Sequence, residues 1–86
     1  MAEFEVRINR SAAKELHRLP KTDTRRILRR IEGLKHDPRP AGSEKLAGRD
    51  AYRIRQGDYR IIYIIDDDRI IVEVIRVGHR RDVYRN

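Results

Sequence analysis

The chain has no cysteine, which excludes a disulfide framework, a thiolate nucleophile and any cysteine-based metal site. That absence fits a reducing compartment. Long hydrophobic runs are missing too: the longest nearly unbroken apolar stretches, Ile61 to Ile65 and Ile70 to Ile75, fall far short of the roughly 20 residues a bilayer-crossing helix needs. The opening Met1-Ala2-Glu3-Phe4-Glu5-Val6 has early acidic residues and no apolar core, so it does not read as a signal peptide. These absences predict a cytoplasmic protein with no membrane role. At 86 residues there is material for one hydrophobic core, hence a single domain over 1–86 whose stability is marginal.

What is abundant is positive charge. Lysine and arginine total 21 against 14 acidic residues, a net charge of +7 and a pI near 10.4. Arginine dominates, and its planar, always-protonated fork suits phosphate oxygens. A small basic domain points to a polyanionic partner, with nucleic acid first. A solvated surface would give the same net charge, so the positions of the arginines must decide.

Residues 3–9 alternate, with Phe4, Val6 and Ile8 on one side and Glu5 and Arg7 on the other, the pattern of a half-buried strand. Asn9 or Ser11 offers a cap for a helix in which Ala12, Ala13, Leu16 and Leu19 recur at helical spacing until Pro20. Thr22 and Asp23 offer a cap for a second helix, with Ile27, Leu28, Ile31 and Leu34 as its apolar stripe and Arg25, Arg26, Arg29, Arg30 and Lys35 mostly off it. Residues 36–48 carry Pro38, Pro40, Gly42 and Ser43 and read as a loop, with Leu46 as its apolar anchor. The period then becomes two: strands over 51–56, 59–65 and 70–77, joined by turns at Gly57-Asp58 and at Asp66-Asp67-Asp68, before a basic tail from Gly78. The predicted fold is α+β, in the order β-α-α-β-β-β: a small, mainly antiparallel twisted sheet with a helical hairpin packed on one face.

If Gly57 and Asp58 are the central residues of a two-residue hairpin turn, the register follows. Arg55 faces Arg60, Ile54 faces Ile61, Arg53 faces Ile62, and Tyr52 faces Tyr63. Alternation then gives one face Tyr52, Ile54, Ile61 and Tyr63, and the other Arg53, Arg55 and Arg60. Like charges directly opposite destabilise a strand pair, and folding has no use for them; a bound phosphate would resolve the conflict. The plainer reading is a solvated face, and a tight Asp67-Asp68 turn would set Glu73 opposite Ile62, in reach of Arg53. The tail adds His79, Arg80, Arg81, Tyr84 and Arg85, expected beside Arg55 and Arg60. Histidine exchanges protons near neutrality, tyrosine stacks on an unpaired base, and arginine holds charge developing on phosphate. His17 and His36 read as surface residues.

The segments Tyr52-Arg-Ile-Arg-Gln-Gly-Asp-Tyr-Arg-Ile-Ile-Tyr63 and Arg76-Val-Gly-His-Arg-Arg-Asp-Val-Tyr84, with Asp66-Asp-Asp68 between them, resemble the RelE/ParE toxin superfamily, on the RelE side. The resemblance spans nearly the whole chain. It implies a toxin of a type II toxin–antitoxin system: an endoribonuclease, or mRNA interferase, that cuts mRNA on the ribosome by 2′-hydroxyl attack, without metal or cofactor. It further implies a cognate antitoxin, short, acidic and partly disordered, with operator DNA bound only through the antitoxin complex. By position the family's basic and tyrosine residues match Arg53, Arg55, Arg60, Arg80 and Tyr84. With the basic tail added, the expected catalytic set is Arg55, Arg60, His79, Arg80 and Tyr84, and the expected RNA-binding set is Arg53, Arg55, Arg81 and Arg85. The chain departs from well-studied members by having Arg53 and Arg55 where they carry lysines. Arginine is no general base, so either His79 moves the proton or catalysis rests on positioning and electrostatics. Because the superfamily also hosts gyrase poisons, a ParE-like activity is one alternative, and a non-catalytic RNA-binding degenerate toxin is another.

Overall fold

The computed structural model describes residues 3–48 and 50–79. Its elements are β1 (Glu5–Ile8), α1 (Arg10–His17), α2 (Lys21–Gly33), β2 (Glu44–Lys45), β3 (Ala51–Gln56), β4 (Tyr59–Asp66) and β5 (Ile71–His79). The five strands form one sheet in the order β1-β5-β4-β3-β2. All pairings are antiparallel except β1 with β5. This is the expected α+β architecture, with one short strand, β2, added inside the segment predicted as loop.

Asn9 caps α1, its side-chain oxygen accepting from the Ala12 amide at 2.8 Å, and so satisfies one of the amides a helix start leaves open. The second cap differs from expectation. Pro20, not Thr22 or Asp23, stands before α2, which begins at Lys21 without a side-chain cap. Proline's fixed φ and missing N–H are tolerated at a helix start. Thr24 instead donates to the Leu16 carbonyl at 3.0 Å, tying the end of α1 to α2.

The helices lay Ala12, Leu16, Ile27, Ile31 and Leu34 on the sheet face that carries Ile54, Ile61, Tyr63, Ile65, Val72, Val74 and Val77. Ala13 is exposed and Leu28 is 41% exposed, so the buried stripes are narrower than the apolar periodicity suggests. On the opposite face a smaller cluster joins Ala51 and Ile62, with Leu46 and Ile75 packed against it; Leu46 is the loop's anchor, as its sequence context predicts.

Two departures reset the register of β5. The turn before it is four residues, Asp67–Ile70, with Ile70 at φ 58°, a conformation a β-branched side chain rarely adopts. A bulge then falls between Ile62 and Tyr63. Glu73 therefore lies opposite Ile64, not Ile62, whose partner is Arg76, and the expected Glu73–Arg53 pairing is corrected. β5 also runs two residues further than predicted, so Gly78 and His79 belong to the sheet rather than to a tail.

β1 flanks β5 only as far as Ile8 opposite Val74, which leaves the later part of β5 at an edge. Glu15 of α1 covers it: its carboxylate accepts from the Val77 amide at 2.7 Å and from Arg76 Nε at 3.3 Å. A charged acceptor on a backbone amide is among the stronger hydrogen bonds. Glu15→Ala is expected to lower stability by about 1–2 kcal/mol and to promote association through the uncovered edge. A urea midpoint and a concentration series by light scattering measure both; unchanged values in both would refute the edge-cover role.

A candidate phosphate-binding face

The β3–β4 hairpin turns at Gly57, whose φ of 61° suits the first central position of a two-residue turn, where glycine carries no steric penalty. That turn length sets Arg55 opposite Arg60, Arg53 opposite Ile62 and Tyr52 opposite Tyr63, the pairing expected from the sequence. Since Ile54, Ile61 and Tyr63 enter the helix-side core, the alternate positions Arg53, Arg55 and Arg60 share the other face.

The three differ in setting. Arg60 is 6% exposed, the side chain of Arg53 is 15% exposed, and Arg55 is open to solvent. Arg53 donates to Glu44 at 2.8 Å, the residue opposite it in the β2–β3 register. The guanidinium of Arg53 above all, then those of Arg55 and Arg60, hold the Glu44 carboxyl below its ordinary range. One carboxylate thus senses all three arginines, which makes this a single electropositive patch. Glu44 was missed in the sequence because the Pro- and Gly-bearing loop shows no period. Its signal was the anchor Leu46 two residues on, on the same side of an extended segment.

His79 goes elsewhere. It lies opposite Tyr59, and the two rings meet edge to face, 6.0 Å apart between centroids. The Tyr59 hydroxyl in turn donates to Asp23 of α2 at 3.1 Å. His79 therefore stands on the helix side, lining a cleft of about 290 Å³ with Asp23, Arg26, Gln56, Gly57, Asp58 and Tyr59. The expectation that His79 would sit beside Arg55 and Arg60 is corrected: they share an end of the sheet but not a face. The reason is the extension of β5 together with the bulge at Ile62/Tyr63, which shifts the alternation by one residue beyond Val74 and so turns His79 to the Tyr59 side. Arg80, Arg81, Tyr84 and Arg85 lie outside the described residues.

The rest of the framework fixes the far end of the sheet. Tyr63 donates to the Pro38 carbonyl at 2.7 Å and stacks on Tyr52 with 6.0 Å between centroids. Arg39 makes two bonds to Asp67, at 3.3 and 2.8 Å, and lies over the Tyr52 ring at 5.2 Å. The loop over residues 36–43 is thereby tied to the sheet on which the arginines sit. Among the described residues no helix is long and apolar enough to cross a membrane.

The chain matches a family model described as the ParE toxin of the type II toxin–antitoxin system, parDE, over residues 6–84. It is 35% identical to Toxin RelG of Mycobacterium tuberculosis over 86 residues, covering 95% of this chain and 97% of the relative. It is 34% identical to the putative toxin RelE1 of Methanocaldococcus jannaschii over 88 residues, covering 96% and 97%. Among solved structures it is similar to a chain of the RelBE2 toxin–antitoxin complex from Mycobacterium tuberculosis, with a TM-score of 0.81 and 28% identity, covering 91% of this chain and 99% of that one. A chain of the archaeal RelE–RelB complex from Pyrococcus horikoshii gives a TM-score of 0.78 and 30% identity, covering 91% and 96%. With the fold, the hairpin and the full-length relatives in agreement, the chain belongs to the RelE/ParE family as a RelE-type toxin of a toxin–antitoxin system.

Proposed function

We propose that this toxin is an endoribonuclease that cuts mRNA on the ribosome and is silenced by a cognate antitoxin. The observation that carries the reading is the direct pairing of Arg55 with Arg60, with Arg53 on the same face. Like charges so placed oppose folding, whereas a phosphodiester between them offsets that repulsion and accepts several donors at once.

The chemistry this face supports is transesterification. The RNA's 2′-oxygen attacks the adjacent phosphorus as its proton leaves, and the 5′-oxygen departs and is protonated, giving a cyclic phosphate and a 5′-hydroxyl. Arg60 and Arg55 stabilise charge on the non-bridging oxygens, and Arg53 orients the backbone. The role of Arg80 would be a further donor, that of Tyr84 stacking or protonation of the leaving oxygen, and that of Arg81 and Arg85 binding of flanking RNA. His79, expected to transfer a proton, lies on the helix side against Tyr59 and could serve only from the shared end of the sheet. Electrostatic stabilisation therefore carries more of this reading than proton transfer does.

RelE relatives have been solved in complex with RelB, which supports an antitoxin partner here, and the +7 charge fits a short acidic one that orders on contact. Cytoplasmic action, and operator binding only through the antitoxin complex, complete the proposal.

The test is induced expression with mapping of cellular mRNA 5′ ends, followed by purified protein on programmed ribosomes. Cuts confined to translated regions are expected. His79→Ala should retain cutting within about tenfold if positioning dominates, and lose the 10²–10⁴-fold typical of a lost acid or base if it moves the proton. Absence of cuts together with inhibited DNA supercoiling would instead establish a gyrase poison, the reading the ParE family match favours. Ribosome binding without cutting would mark a non-catalytic binder.

A further inference from the structure

The phosphate-face reading gives no task to Glu44, a charged side chain beside the arginines. Glu44 belongs to β2, a strand of two residues at the end of a loop, and its side chain is 55% exposed. Its carboxylate nevertheless lies 2.8 Å from an Arg53 guanidinium nitrogen, and Arg53, Arg55 and Arg60 all favour its ionised form. An ionised carboxylate thus stands where an incoming phosphate would meet Arg53. Both groups are monoanions that offer oxygens to a guanidinium fork, and they cannot share it without like-charge repulsion.

We propose that Glu44 is a specificity-determining residue, an internal counter-anion that makes the arginine face a poor site for free RNA and must be displaced by RNA held through further contacts. The inference rests on the phosphate-face reading above. Its magnitude is what makes it workable. A buried ion pair would close the site, because breaking one leaves an uncompensated charge. Here only the Glu44 side is open, at 55% against 15% for Arg53, and solvent screening there weakens the pair, so this one tunes binding instead of blocking it. RNA already fixed elsewhere, as a message is in a larger assembly, displaces the carboxylate at small cost. RNA arriving alone has only the arginines to bind and competes with Glu44 for Arg53. Glu44 would thereby favour presented RNA over free RNA.

The experiment uses the full-length protein and a fluorescent single-stranded RNA with every ribose 2′-O-methylated, so that binding is read without cleavage. Wild type, Glu44→Gln, Glu44→Ala, Glu44→Asp and Arg60→Ala are titrated across a salt series, with a melting curve for each. Glu44→Gln and Glu44→Ala should bind about three- to tenfold more tightly, the scale of one charge pair screened by solvent on one side. Their log–log salt slopes should be steeper by roughly 0.7, the value of one added contact to single-stranded phosphate. Glu44→Asp, which keeps the charge, should stay nearer wild type. Equal or weaker binding by both neutral variants, with unchanged melting, overturns the inference. If Arg60→Ala weakens binding while the Glu44 variants do not strengthen it, the counter-anion role alone fails. If Arg60→Ala binds as wild type does, or no variant binds at all, the phosphate-face reading fails with it.

Discussion

Arg60→Ala is expected to abolish growth arrest and to slow single-turnover cutting of ribosome-bound mRNA by roughly 10²–10³-fold, the loss seen when one donor aimed at developing charge is removed. Arg60 is chosen over its neighbours because it is the most enclosed of the three, at 6% exposure, and low-dielectric surroundings strengthen its field at a bound phosphate. Arg55, directly opposite but open to solvent, is screened, so Arg55→Ala should lose less. Arg60→Lys keeps the charge and gives up the planar fork, and should recover only part of the rate. Each variant needs a thermal melt, because removing a buried arginine also alters packing. A folded Arg60→Ala protein that still arrests growth would remove the central element of the proposed site.

Tyr63→Ala should have the largest effect on stability. The side chain is fully buried at the middle of β4, stacks on Tyr52 and holds the Pro38 carbonyl. Truncating a buried aromatic costs about 3–5 kcal/mol against a total of roughly 5–15 kcal/mol for a domain, so much of the protein should be unfolded at growth temperature. Tyr63→Phe keeps the ring and loses one hydrogen bond, and should cost about 1 kcal/mol. The phenol gives an independent check. Burial first of all pushes its pKa up to about 12, against about 10 for a free phenol. The fold thus holds the neutral form: this contribution is intact below pH ~10 and is lost as pH climbs through about 12. Tyr59 is also shifted up, by burial and then by Asp23, so phenolate absorbance should show a step near pH 12 coupled to loss of structure, and Tyr63→Phe should delete that step. A Tyr63→Ala protein melting within a few degrees of wild type would contradict the packing argument.

How far the sequence reveals the molecule depends on which rule governs each segment. Between Tyr52 and Tyr63 a glycine-first turn and strict alternation leave one register, so the shared face of Arg53, Arg55 and Arg60 was readable from residue order. Around Asp67 three aspartates allow several turn lengths, and the four-residue solution, with Ile70 at positive φ, depends on β5 reaching β1. The bulge at Ile62/Tyr63 leaves no trace in the apolar pattern, since Ile75 finds its own small cluster with Ala51 and Ile62. Gly78 looks like the end of a strand, yet the strand continues, and past the bulge its alternation sends His79 to the Tyr59 side. Glu44 was hidden because its strand is two residues long and borrows its geometry from Arg53. Local chemistry fixed the hairpin; pairing between distant segments fixed the rest.

The parallel seam between β1 and β5 has a consequence for the chain's birth. β1 is made well before its neighbour, which begins only at Ile71, so the strand waits unpartnered until the whole hairpin has been synthesised. Until β5 emerges, β4 has one neighbour, and α1 lacks the strand it packs on most closely. The arginine-bearing hairpin then rests on an unfinished support. The arginine face is thus fully supported only once β5 has joined the sheet, which gives a binding partner already present time to meet the chain first.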